Sequence, residues 1–147
     1  MAVKTKIIDH GWEEIEDNIK ALDNSYTVVG YIASNSSQDV VNKAVWNELG
    51  TSKIPPRPFQ RRAFDSNKKM LRALLEQYGN LIMMNKISIR KGLSSIGEIH
   101  VRNIKKKIRH GSFKRLADAT IKKKKSSKPL FDTGEMINST THKEFIK

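Results

Sequence analysis

Residues 50–58, Gly50-Thr51-Ser52-Lys53-Ile54-Pro55-Pro56-Arg57-Pro58, constrain the fold of this chain more than any other stretch. Three prolines in four positions fix the backbone and remove its donors, so no regular helix or inner strand can include them. A stiff, exposed connection is the expected result. The chain's 147 residues suit one domain, spanning 1–147, large enough to bury a core without covalent staples.

Upstream, residues 9–22 predict an amphipathic helix. Trp12, Ile15, Ile19 and Leu22 share a face, Asp9 can cap it, and Glu13 and Glu14 favour its positive end. Residues 26–33, β-branched and aromatic, predict a strand. Residues 34–39 read as a long hairpin loop leading to a second, antiparallel strand over 40–49, around Val45 and Trp46. Downstream, a helix starts at Phe59 and runs through Phe64, Leu71, Leu74, Leu75 and Tyr78, with Gly79 as its stop. Residues 80–93 lean towards helix. Ser95 and Glu98 have the spacing of a capping box, opening a helix that Gly111 ends. On it, Ile99, Val101, Ile104 and Ile108 occupy one broad side, and Arg102, Lys105, Lys106 and Arg109 the other. A short helix over 113–121, a basic low-complexity loop over 122–128 and a turn at Leu130 to Gly134 complete the expectation.

Charge is placed very unevenly. Between Arg90 and Lys128 fourteen basic residues face only Glu98 and Asp118, so this stretch carries +12 of the chain's net +13. A field this lopsided implies a polyanionic neighbour, nucleic acid or an acidic protein surface, unless it is simply a solvated face. Phe113 is the one aromatic residue in the stretch, so base stacking is poorly served, and a phosphate-only grip is what remains for nucleic acid.

Catalytic chemistry finds few candidates. There is no cysteine, which removes disulfides, thiolate metal sites and thiol nucleophiles. His10, His100, His110 and His142 show no zinc-ligand spacing. Gly50-Thr51-Ser52-Lys53 lacks the earlier glycine of a phosphate loop and leads into prolines instead of a helix. No Gly-x-Ser-x-Gly elbow occurs, and Glu13, Glu14 and Glu16 read as a solvated helix face. A non-enzyme with no cofactor and no metal is expected. Lys4 and Lys6 precede no apolar run, which argues against a secretory signal, and the longest uncharged apolar stretch, 28–33, is far short of a membrane span, so a soluble chain is expected.

Three blocks carry a resemblance. Trp46-Asn47-Glu48-Leu49-Gly50-Thr51 followed by Ile54-Pro55-Pro56-Arg57-Pro58-Phe59 is similar to the signature of tailed-phage tail-completion proteins, also called neck or head–tail joining proteins. Leu49 stands where that family usually has an aromatic residue and Gln60 where it has an aliphatic one; Arg61 and Arg62 keep the basic flank. Leu93 with Ile96-Gly97 resembles the family's helix entry, and Ala119-Thr120-Ile121-Lys122 its Thr-to-Lys step. Lys128-Pro129-Leu130-Phe131-Asp132-Thr133-Gly134, with Met136 and Ser139, resembles its final block. Together they span about 28–139.

The resemblance implies an α+β fold, a small antiparallel or mixed sheet packed by three to four helices. It further implies a virion protein assembled in the bacterial host cytoplasm, forming a homo-oligomeric ring, commonly a hexamer, in the neck. Its implied partners are the portal, connector or head-completion protein on one side and tail terminator, tube or sheath proteins on the other, with non-specific contact to genomic DNA as a further option and no membrane. In that role the proline loop would dock outward: stiffness limits its entropy loss, Arg57 could hold a carboxylate bidentately and Phe59 could fill a pocket. Arg102, Lys105, Lys106 and Arg109, with Lys122, Lys123, Lys124 and Lys125 in a loop expected to be mobile, would form a basic docking face. Asp132, Thr133 and Gly134 would make a tight turn that positions the last strand. Plain fold maintenance is the competing reading of both the proline loop and this turn. The competing function is a free, non-sequence-specific nucleic-acid-binding protein acting through residues 90–128.

Overall fold

A computed structural model describes residues 11–124 and 127–146. Its element order is α1 (Trp12–Asp23), β1 (Tyr26–Gly30), α2 (Gln38–Leu49), α3 (Phe59–Met83), α4 (Ile89–His110), α5 (Asp118–Lys124), α6 (Glu135–Asn138) and β2 (Thr141–Phe145). The fold is α+β, as expected, but with six helices among the described residues.

Two long antiparallel helices, α3 and α4, form the frame. Phe59, Ala63, Leu71 and Ile82 are the buried face of α3, and Leu93, Ile96, Val101, Ile104 and Ile108 that of α4. The outward side of α4 carries Arg102, Lys106 and Arg109, exposed, with Lys105 half-buried, while Ile99 is only half-buried. Gly79 does not end α3. The helix continues to Met83, and the turn falls where Asn85 adopts a left-handed conformation, φ 53°, which asparagine tolerates better than most residues. Ser88 then caps α4 by accepting from the Lys91 N–H at 3.3 Å. Ser95 is therefore interior, its hydroxyl donating back to the Lys91 carbonyl at 2.9 Å, and the Ser95–Glu98 spacing is not a capping box.

The hairpin expected over 26–49 is not formed. Residues 38–49 are helix α2, capped by Ser37, whose hydroxyl accepts from the Val40 N–H at 3.4 Å. Val40 and Ala44, four apart, face the core. Val45 and Trp46 suggested a strand, but helical burial of the Val40–Ala44 stripe outweighs their propensity. β1 pairs instead with the C-terminal strand, antiparallel, with Tyr26 opposite Phe145 and Gly30 opposite Thr141.

This two-stranded sheet lies on α4. Gly97 is where they meet: a Cβ there would sit 2.6 Å from the His142 ring, so only glycine permits this separation. The main core gathers Ala44, Phe59, Ala63, Ile104, Ile108, Leu130 and Ile137, so α2, α3, α4 and the C-terminal segment share one apolar centre. α1 stands apart, packed on the far end of α3 with no fully buried residue. Asp9, expected to cap it, lies outside the described residues, and Gly11 occupies the position before its first turn.

Candidate interface

The Trp46–Phe59 block folds into a clip between α2 and α3. α2 ends at Gly50, whose φ of 81° suits glycine, and a Cβ there would lie 2.9 Å from the Pro56 ring. Thr51 closes the next turn: its N–H donates to the Ile54 carbonyl at 2.8 Å, and its hydroxyl accepts from the N–H groups of Lys53 and Ile54 at 3.2 and 3.0 Å. The Glu48 carboxylate reaches across to α3 and accepts from the N–H groups of Gln60 and Arg61 at 2.9 and 3.0 Å. Pro58 precedes that helix and offers no side-chain cap, so Glu48 supplies one from outside, with a negative charge at the positive end of the helix dipole.

Arg57 and Phe59 point inward, not outward. Arg57 is 3% exposed. Its Nε donates to the Lys114 carbonyl at 3.0 Å, its Nη1 to Asn47 Oδ1 at 3.4 Å, and its backbone N–H to the Asn47 carbonyl at 2.6 Å. Burial pushes its pKa down, and among the described residues no carboxylate lies within ion-pair distance of it. Phe59 is fully buried, edge-on to Tyr31 with ring centres 6.3 Å apart. The expected plug is thus an internal fastening. A prediction from side-chain type alone missed this, because arginine and phenylalanine serve a buried junction as well as an interface. Of the remaining residues of the block, Trp46, Thr51, Pro56 and Arg61 are exposed, and Asn47, Glu48, Gly50, Ile54, Pro55 and Pro58 are half-buried.

Beside the clip lies an open groove of about 1060 Å³. Its apolar lining comes from Val40, Ile54, Leu116, Leu130 and Met136, and its cations from Lys43, Lys53, Lys114, Arg115, Lys123 and Lys124. Lys43 is matched by Asp39 and Glu135 at 2.5 and 3.7 Å, and Arg115 by Asp118 at 2.9 Å. Arg57 also lines the groove, so a buried guanidinium with no counter-charge among the described residues adds to its positive field. Asp132, Thr133 and Gly134 form one lip; Gly134, φ 81°, turns the chain into α6, and the Thr133 hydroxyl accepts from the Glu135 N–H at 3.4 Å.

The basic face expected from the sequence is divided. Lys123 and Lys124 line this groove, whereas Arg102 and Lys105 line a separate cavity of about 430 Å³ beside Ser139 and His142. Lys106 and Arg109 are exposed on α4, which Lys107 ties to α3 through the Ser66 hydroxyl at 3.2 Å. Lys122 to Lys124 are helical, in the last turn of α5, instead of in a loop; Lys125 lies outside the described residues. Of the other groove cations, Lys43 was not named from the sequence, Lys53 entered only as part of residues 50–58, and Lys114 and Arg115 only as part of the basic stretch 90–128. Their convergence at one groove depends on tertiary structure.

A second polar cluster joins β2 to α4. The His142 Nε2 lies 3.1 Å from Ser94 Oγ and 3.1 Å from Glu144 Oε1, and Arg90 lies 3.8 Å from the other Glu144 oxygen. Both contacts use the same ring nitrogen, so this is not the relay in which a carboxylate orients one nitrogen while the other takes the serine proton. Among the described residues no group of three or more histidines and carboxylates is placed to hold a metal ion, and no helix is long and apolar enough to cross a membrane. No family model, curated protein or solved structure matches this chain.

Proposed function

We propose that this chain is a non-enzymatic structural subunit of a tailed-bacteriophage virion. It forms a homo-oligomeric ring, six-membered by analogy, in the neck, where it joins the portal or connector of the filled head to the tail. One observation carries the reading. Blocks of the sequence resemblance that lie some 70 residues apart meet at one groove: Asn47, Thr51, Ile54, Pro55 and Arg57 of the first line it together with Thr120 and with Pro129, Leu130, Asp132, Thr133 and Gly134 of the last. Apolar lining with charged margins is the character of a protein-binding surface.

A phage genome lacking this gene tests the proposal. Filled heads and finished tails that fail to unite are expected, and intact infectious particles would refute it. The alternative, a free nucleic-acid-binding protein, draws support from Arg102, Lys106 and Arg109, exposed on α4 and in no ion pair among the described residues. It requires the isolated chain to bind any duplex with an affinity that falls steeply between low and physiological salt.

A further inference from the structure

We infer that the cationic groove receives helix α1 of a second copy of this chain, so that subunits join head to tail. The inference rests on the ring assembly proposed above and names the surfaces that would build it.

The two surfaces match in chemistry. α1 holds five of the chain's fifteen carboxylates, Glu13, Glu14, Glu16, Asp17 and Asp23, against the single cation Lys20. Its inward side, Ile15, Asn18 and Leu22, is half-buried, and the Asn18 side chain donates to the Ile82 carbonyl at 3.2 Å. Trp12, 63% exposed, and Ile19, 47% exposed, flank that side instead of being buried with it, next to Glu16, which accepts from the Trp12 indole at 2.9 Å, while Glu14 is held by the Asn85 side chain. An acidic helix face with an aromatic anchor complements a groove with apolar lining, cationic margins and the uncompensated Arg57 in its wall.

They also lie at opposite ends of the molecule. α1 is fastened where α3 ends, at Ile82, and the groove opens where α3 begins, beside Arg57. Twenty-four residue steps along α3 separate Phe59 from Met83, roughly 35 Å at helical rise. One copy therefore cannot fill its own groove. The charge separation follows the same axis, because the last turn of α4, with Lys107 and Arg109, sits at the groove end through the contact between Lys107 and Ser66. Complementary patches at opposite ends make a heterologous contact, which closes into a ring when the rotation between copies is right and otherwise runs on as a filament.

Charge reversal in two places provides the test. The variants are Glu13→Lys/Glu16→Lys/Asp17→Lys in α1 and Lys53→Glu/Lys123→Glu/Lys124→Glu at the groove, each checked for wild-type helicity by circular dichroism. In sedimentation velocity each variant alone should need roughly ten times the concentration of the wild type to assemble, or more. An equimolar mixture of the two should regain assembly, since each reversed helix then meets a reversed groove. Trp46→Phe leaves Trp12 as the sole tryptophan, whose emission should shift to the blue on assembly. Wild-type rings unaffected by the α1 reversal, or variants that fail to rescue each other, would overturn this contact and leave the neck assignment standing. A wild-type chain that stays monomeric at every concentration would overturn the contact, while the gene-deletion phenotype judges the neck assignment independently.

Discussion

Replacing Glu48 by alanine tests whether the Trp46–Phe59 block is an internal fastening. The carboxylate accepts two N–H groups at the start of α3, from Gln60 and Arg61, where the preceding Pro58 makes no side-chain cap bond. Loss of a cap costs about 1 kcal/mol, within a range of about 0.5–2. Bonds to a charged acceptor contribute about 1.5–3 kcal/mol each when both partners are buried; here Gln60 is half-buried and Arg61 exposed, so water can replace part of that contribution. Together with the dipole term of about 0.3–1 kcal/mol, the expected loss for Glu48→Ala is about 2–3 kcal/mol. Glu48→Gln keeps one acceptor and gives up the charge, so about 1 kcal/mol is expected. For a chain of this size each kcal/mol lowers Tm by about 2–4 °C, and helical ellipticity followed through a thermal scan will resolve the two variants. If both melted with the wild type, Glu48 would carry no structural load and the fastening account of the block would be wrong.

Two further perturbations probe the frame. Gly97→Ala places a methyl 2.6 Å from the His142 ring, and since ring and helix are both held by their neighbours, a loss of about 1–3 kcal/mol is expected in urea unfolding; a neutral result would mean that β2 can lift away from α4. His100 has its pKa lowered by burial, and its Nδ1 has no hydrogen-bond partner among the described residues. The unfolded chain therefore binds this proton more readily than the folded one, and stability should fall as pH drops below about 6.5, the ordinary histidine value; in His100→Gln that part of the slope should vanish, and an unchanged slope would assign it to other groups.

How much of this was legible from the sequence differs by element. α1, β1 and the start of α3 follow from spacing and residue type, and the apolar side of α4 holds at Val101, Ile104 and Ile108. Local signals misled where two were in conflict. Val45 and Trp46 favour a strand, yet Ser37 and the Val40–Ala44 pair make a helix. Ser95 and Glu98 mimic a cap that Ser88 in fact provides. Gly79 looked like a stop, but α3 runs on through it to Met83, since one glycine inside a helix costs only about 1 kcal/mol. The pairing of β1 with β2 was beyond local reading, because partners such as Tyr26 and Phe145 are joined only through the whole intervening chain. The groove shares that property: Lys43, Lys53, Lys114 and Lys123 come from four separate segments.

The proline block has a different use from the one its composition suggests. Stiff backbone, a guanidinium and an aromatic ring are the parts of a docking plug, and in this fold they are spent on the protein's own junction. Phe59 fills the core, Arg57 joins the clip to the Lys114 backbone, and Glu48 holds the first turn of α3. The outcome is a groove wall, Ile54 to Arg57, whose shape is fixed before any partner arrives. In the contact proposed above, rigidity would contribute on the receiving side: a preformed wall loses little conformational freedom when a helix settles against it. The selection of such a helix would then fall to the lysines around that wall, whose flexible side chains can adjust to an acidic surface without disturbing the fold beneath them.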